Sequence, residues 1–347
     1  SDFMNSKETI LKVANLKKTS RIPVSLLSGG VWTFNRRGIS LEEALKLGAE
    51  QCAKILEETN EEIGCDIVWP GSGYHNLAIK AIGGKIKFRE KGAPDIQELL
   101  LKQASDVDNI DLSLIKEDAD INTLLQTTSL LSQKIGKSTM VASSQWGPVT
   151  LAGLVYGVEN LMRNIYKNKN DVHKVLEFTT ELCAQYLEAY VDAGAEMVSI
   201  ADPTSSGDMI SREQFRTFSL PYLKKVVQRL RKKGATVCIH ICGNITNRLD
   251  LIPETGVNII SVDYKVSLAK AKELVNSKIA FAGNMNPVAV MENLSPEKVA
   301  ESCEQCIKKA GKDSNYILMP GCDIPPGVPV ENIKAMVRTA HSHKGEV

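Results

Sequence analysis

The stretch "TVCIHICGN", residues 236–244, begins as a buried β-strand and then departs from that pattern. Val237, Ile239 and Ile241 place β-branched residues at every second position, while Cys238, His240 and Cys242 fill the positions between them. Side chains alternate across a strand, so His240 and Cys242 share a face with Cα atoms about 6 to 7 Å apart. Gly243 then ends the strand, which puts this pair at its C-terminal end.

Working outward, the same kind of segment recurs. Short Val- and Ile-rich runs ending in Gly, Asp, Asn or Pro appear at 22–29 (IPVSLLSG), 65–71 (CDIVWPG), 139–147 (TMVASSQWG) and 197–203 (MVSIADP). The second half adds 236–243, 258–264 (NIISVDY), 278–284 (KIAFAGN) and 316–321 (YILMPG). Helical periodicity fills the intervals, as in 40–64 and in 211–234, where Ser211 and Gln214 form a capping-box pattern and Gly234 closes the helix. Eight strands alternating with helices predict an α/β chain folded as a (β/α)8 TIM barrel, with an open doubly wound sheet as the alternative. The polar, poorly periodic interval from Lys80 to Lys137 predicts an insertion of small strands and helices after the second strand. Residues 1–347 read as a single domain, with those before Met4 set aside.

Composition narrows the function classes. The 42 Lys and Arg residues against 41 Asp and Glu give a formal net charge of +1, which offers no basic footprint for nucleic acid or an anionic membrane. No run of about 20 apolar residues occurs, and the first ten residues lack the layout of a secretory signal, so a cytoplasmic location is expected. In that setting the eight Cys are expected to be thiols or metal ligands rather than disulfides.

Three residues carry the chemistry. His240 and Cys242 sit at the end of the fifth strand, and Cys322 directly follows the eighth, ahead of the Pro-rich loop 323–329. A closed barrel turns all its strand ends toward one mouth, where barrel enzymes keep their active sites. One His and two Cys suit Zn2+, and three protein ligands with a fourth place open are the pattern of a catalytic zinc. A packed His beside a buried thiol is the competing reading of the His-x-Cys pair alone. Cys238 shares the face but lies about 13 Å from Cys242, too deep for the same tetrahedron, and is assigned to the barrel interior. Cys303 and Cys306 lie three apart on an amphipathic helix and are expected to stay outside the site.

Five segments extend the reading: 147–162 (GPVTLAGLVYGVENLM), 193–223, 240–244 (HICGN), 281–287 (FAGNMNP) and 319–337 (MPGCDIPPGVPVENIKAMV). Together they resemble the uroporphyrinogen decarboxylase superfamily and, within it, the methylcobamide:coenzyme M methyltransferases. The resemblance spans essentially the whole chain. It implies a zinc-dependent barrel that passes a methyl group from a corrinoid held by a partner protein to a thiol acceptor such as coenzyme M, with His240, Cys242 and Cys322 as zinc ligands. It also implies the alternative of a demethylating enzyme that loads a corrinoid protein from a methoxyl, methylamine or methylthiol donor. Porphyrinogen decarboxylation is disfavoured. Arg36 and Arg37 remain after the first strand, but the Asp that the decarboxylases carry after the second is absent, and Asp66 lies within the strand instead.

Other strand ends supply candidate substrate-binding residues. Asp202 and Asp263 are candidates to orient His240 through its second ring nitrogen, with cap or turn roles as the alternative. Asn284 and Asn286 are candidate substrate contacts or turn residues. Trp69, Tyr74 and His75 are expected near the mouth.

Overall fold

The computed structural model describes residues 5–275 and 277–343. Among the described residues nine strands form: β1 (Ile67–Val68), β2 (Lys85–Lys87), β3 (Asp95–Glu98), β4 (Met140–Trp146), β5 (Met197–Ala201), β6 (Thr236–Ile241), β7 (Ile259–Val262), β8 (Ala280–Met285) and β9 (Tyr316–Pro320). Seven of them make one parallel sheet in the order β1-β4-β5-β6-β7-β8-β9. Every residue of β5 through β9 except Ala201 and Asn284 is buried, as expected when helices cover one face and a barrel interior the other.

The expected first strand, 22–29, shrinks to a short extended segment that nonetheless closes the ring. Val24 bridges Leu318 of β9 in parallel, with Ser25 N–H donating to the Leu318 carbonyl and Leu318 N–H to that of Pro23. On its other side, Asp66 N–H donates to the Val24 carbonyl at 2.9 Å. Pro23 donates no backbone hydrogen bond, which limits how far a ladder extends here. The barrel is therefore closed, with its first strand reduced to a few backbone bonds.

Asp66 reinforces that closure. Its carboxylate, with the side chain 1% exposed, accepts Arg21 Nη1 at 2.9 Å and Nη2 at 2.6 Å, Ser6 Oγ at 2.5 Å and the Val24 N–H at 2.8 Å. Ser6 opens the helix Ser6–Ala14, whose Ile10, Val13 and Ala14 pack with Ile67, Met140, Ala142, Met197, Cys238, Ile259, Ala280 and Ile317. This helix stoppers the end of the barrel where the strands begin. Cys238 is fully buried in that interior layer, as its position in the sequence implied.

Two helical expectations are modified. The segment 40–64 breaks at Gly48 into Leu41–Leu47 and Ala49–Ile63. The segment 211–234 keeps its Ser211–Gln214 capping box but passes through a π-turn at Phe215–Ser219 before the helix Leu220–Lys232. Between Lys80 and Lys137 lie the antiparallel pair β2–β3 and two 3-10 turns, followed by a regular helix at Ala119–Ile135. That helix packs on Ala49–Ile63 and belongs to the barrel's outer layer. The irregular part is thus shorter than the sequence interval suggested.

Removing one side of a buried ion pair strands the other, at a cost of about 3 kcal/mol. Asp66→Ala should therefore lower the unfolding free energy by about that amount, read as a shift in the urea midpoint. An unchanged midpoint would show that backbone pairing alone closes the ring.

Candidate active site

Strand register positions the first two residues of the site. His240 lies beside Ala201 of β5 and Ser261 of β7, and the shared inward face brings Ser261 Oγ to 2.9 Å from His240 Nδ1. The opposite nitrogen, Nε2, lies 3.0 Å from Cys242 Sγ, which is 3.0 Å from Cys322 Sγ. These three donor atoms all lie within 4.8 Å of one another, the one such group of three found among the described residues. Both sulfurs are free thiols.

Two glycines allow the approach. Gly243 has φ +93°, and a Cβ there would lie 2.5 Å from Asp208 Oδ2, so the chain turns beneath Cys242 only without a side chain. A Cβ on Gly321 would sit 2.6 Å from the Tyr264 nitrogen, which is how Cys322 reaches in from β9.

The two thiols titrate as a unit. The Cys322 proton is held weakly, because its thiolate accepts from the Cys242 thiol and, against the cost of burial, from His240. Cys242 is pushed up by donating that bond and by burial. Beside them Asp323 is raised to about 7, first by burial and then by the charge of Cys322, while accepting the Gly29 and Ile324 N–H groups at 3.0 Å.

Neither aspartate proposed for orienting His240 does so. Asp263 accepts the N–H of Gly243 at 2.9 Å and of Lys265 at 3.0 Å, bracing the loops after β6 and β7. Asp202 accepts Thr150 N–H at 2.9 Å and Oγ–H at 2.6 Å, packing on Gly147. Its Oδ2 has no partner, and burial raises its pKa to about 6. Ser261 takes the orienting place instead, a residue passed over in sequence because a Ser inside a strand carries no signal of its own.

A cavity of about 130 Å3 opens over the three donors, lined by Leu27, Val31, Trp69, His75, Trp146 and Asp323 among others. Trp69 and His75 thus reach the mouth as expected. Tyr74 does not; it is 2% exposed and donates to the Leu41 carbonyl. Asn284 Nδ2 donates to the carbonyls of Asp263 and Val266, and Asn286 Oδ1 caps Val288 and Ala289, so both side chains are committed to loop structure. Cys303 and Cys306 are buried in the outer helix Pro296–Ala310. Arg36 pairs with Glu62 at 2.7 Å across the Trp32 ring, and Arg37 bonds Thr59; neither lines the cavity.

A closed parallel barrel with its reactive side chains at the C-terminal strand ends is the layout of a (β/α)8 enzyme. The chain belongs to the uroporphyrinogen decarboxylase (URO-D) family, which matches residues 5–343. Among its relatives, the methylcobamide:CoM methyltransferase MtbA of Methanosarcina mazei is 32% identical over 342 residues, covering 97% of this chain and 98% of that protein. A "Methylated-thiol--coenzyme M methyltransferase" of the same organism is 25% identical over 263 residues, 76% of this chain and 69% of that one. A solved methyltransferase from Methanosarcina mazei superposes with a TM-score of 0.88 at 25% identity, covering 98% of this chain and 99% of that one. Among the described residues, no helix is long and apolar enough to cross a membrane.

His75 offers a check on the cavity walls. Burial lowers its pKa to about 4, from 6.5 in an unfolded chain, so it is neutral at pH 7. Between these values the unfolded chain binds the extra proton, so His75 erodes stability as pH falls from 6.5 toward 4. Asp202, raised above its unfolded value, has the opposite sign over part of that range. The test is therefore the His75 imidazole resonance, expected to titrate near 4, together with a smaller acid loss of stability in His75→Gln. A resonance midpoint near 6.5 would contradict the enclosure described.

Proposed function

We propose that this protein transfers a methyl group from a corrinoid, carried by a separate protein, to a small thiol, with His240, Cys242 and Cys322 holding a zinc ion. The observation that carries this reading is the convergence of one imidazole nitrogen and two thiol sulfurs at the barrel mouth. That donor set fits zinc. The nitrogen and sulfurs are soft, they number three, and the imidazole is fixed by a hydrogen bond at its other nitrogen, as metal-bound His usually is. When bound, zinc supplies a Lewis-acidic position with one place left open, at which a thiol is held deprotonated. The relatives named as methylcobamide:CoM and methylated-thiol methyltransferases support the same chemistry.

The chain's own residues define the geometry of the step. Ser261 fixes the His240 ring so that Nε2 faces the sulfurs. Leu27, Val31, Trp69 and Trp146 keep water from the reacting sulfur. In the balanced transfer the acceptor's S–H gives its proton to solvent and its sulfur forms the S–CH3 bond. The Co–C bond breaks with its electron pair left on cobalt, so methyl-cob(III)amide becomes cob(I)amide. The reverse direction, loading a corrinoid from a methylated thiol, uses the same side chains, and the relative named for a methylated thiol keeps it in view.

Cys242→Ala and Cys322→Ala should each lose about nine-tenths of the zinc bound by the wild type at equal free metal while keeping the far-UV circular dichroism spectrum, because the core does not depend on the mouth. Ser261→Ala should keep the ligands yet weaken zinc about tenfold in competition with a chelator. In activity, wild-type protein with methylcobalamin should show thiol-dependent appearance of the cob(I)amide spectrum. Zinc binding that survives both Cys substitutions would remove this assignment.

A further inference from the structure

Resting on the thiol-methylation reading, a finer question is which thiol the cavity admits. We propose that the acceptor is a small thiol bearing no anionic group, in place of a sulfonate- or carboxylate-bearing one.

The walls carry the argument. Leu27, Val31, Ala93, Trp69, Trp146 and Ala201 give the cavity an apolar surface, and among the described residues none that lines it is Lys or Arg. The strong donors along the wall are already engaged. Trp69 Nε1 donates to Ser25 Oγ at 3.3 Å, Trp146 Nε1 to Asn76 Oδ1 at 3.0 Å, and Asn76 Nδ2 to the Pro94 carbonyl at 2.9 Å. His75 Nε2 and Ser144 Oγ are paired at 2.6 Å. The helix Gly30–Asn35 begins beside the cavity, but Asp323 already accepts the Gly29 N–H and Ser72 the Gly30 N–H.

Nearby cations are turned elsewhere. Arg36 and Arg37 face Glu62, Glu58 and Thr59. Arg248, 1% exposed, donates to the Ser205 carbonyl and to Asn247 Oδ1 and lies over the Phe215 ring.

A sulfonate brought here gives up its water shell and receives no cation and few free N–H groups in return, a costly transfer. Asp323, the carboxylate in the lining, is already engaged with the Gly29 and Ile324 N–H groups, so it leaves those two donors unavailable to an anionic tail. A hydroxyl or alkyl tail meets no such penalty and buries apolar surface against the two Trp rings. Coenzyme M, the acceptor in the names of the relatives, carries a sulfonate. The proposal therefore assigns this chain an acceptor other than the one those names carry.

Zinc-loaded protein, titrated calorimetrically, decides the matter with length-matched probes: 2-mercaptoethanol against 2-mercaptoethanesulfonate and 3-mercaptopropionate. The neutral thiol should bind at least about tenfold more tightly, after correction for each thiol's own pKa. Ala93→Lys, which adds a cation at the cavity wall without touching a metal ligand, should narrow that preference by about tenfold, and raised salt should reverse the gain. Equal or tighter binding of the sulfonate thiol by the wild type overturns the proposal, as does an unchanged preference in Ala93→Lys. Methylcobalamin turnover separates the two readings. Transfer to the sulfonate thiol in preference to the neutral one sinks the specificity and keeps the function. Preferential binding of the neutral thiol with no methyl transfer to any probe sinks the function and keeps the specificity. Absence of binding by every thiol overturns both.

Discussion

A carboxylate shut away from water joins the ends of the sheet. Asp66 precedes β1, yet its oxygens reach Val24, Arg21 and Ser6, so the segment beside β9, the segment beside β1 and the N-terminal helix meet on one side chain. A parallel sheet has no hairpins to fix its edges, and here the edge-closing segment pairs through few backbone bonds. Without closure, β6 and β9 would be separate strands of an open sheet, and His240 and Cys322 would have no reason to meet. Ring closure, which brings the three donors to one mouth, is thus reinforced by an ionic contact at the other end of the barrel.

Within the closed ring, register does the finer positioning. His240 is flanked by Ser261 because β6 and β7 pair in that register, and a slip of one residue would turn the imidazole out of the barrel. Cys242 and Cys322 instead lie just past strand ends, where Gly243 and Gly321 admit close backbone approach. The donor trio therefore combines a strand-fixed imidazole with two loop-borne sulfurs. Aspartates 202, 263 and 323 brace the surrounding loops by accepting backbone N–H groups.

Much of this was legible from the sequence because barrel strands are short, apolar and punctuated. Seven of the eight expected strands form within the ranges read from their Val and Ile runs, or one residue beyond. The run 22–29 looked like the others but contains Pro23, and its place in the ring is held by a few backbone bonds and by the Asp66 carboxylate, a contact that no local pattern reveals. The His240, Cys242 and Cys322 convergence was legible because alternation and strand ends are local properties. Ser261 and Asp323 were not, since each acquires its role from a neighbour distant in sequence. Asn284, Asn286 and Tyr74 failed as contacts for the converse reason. Their polar atoms are consumed by nearby backbone, and composition cannot distinguish a free amide from a committed one.

The helix Ser6–Ala14, set beneath the interior layer, has a bearing on traffic. With that end stoppered, the approach to the three donors lies at the end where the strands finish. A donor and an acceptor that meet over the sulfurs therefore come from the same side of the barrel, one seated deeper than the other. Order of entry and exit thereby becomes a matter of architecture.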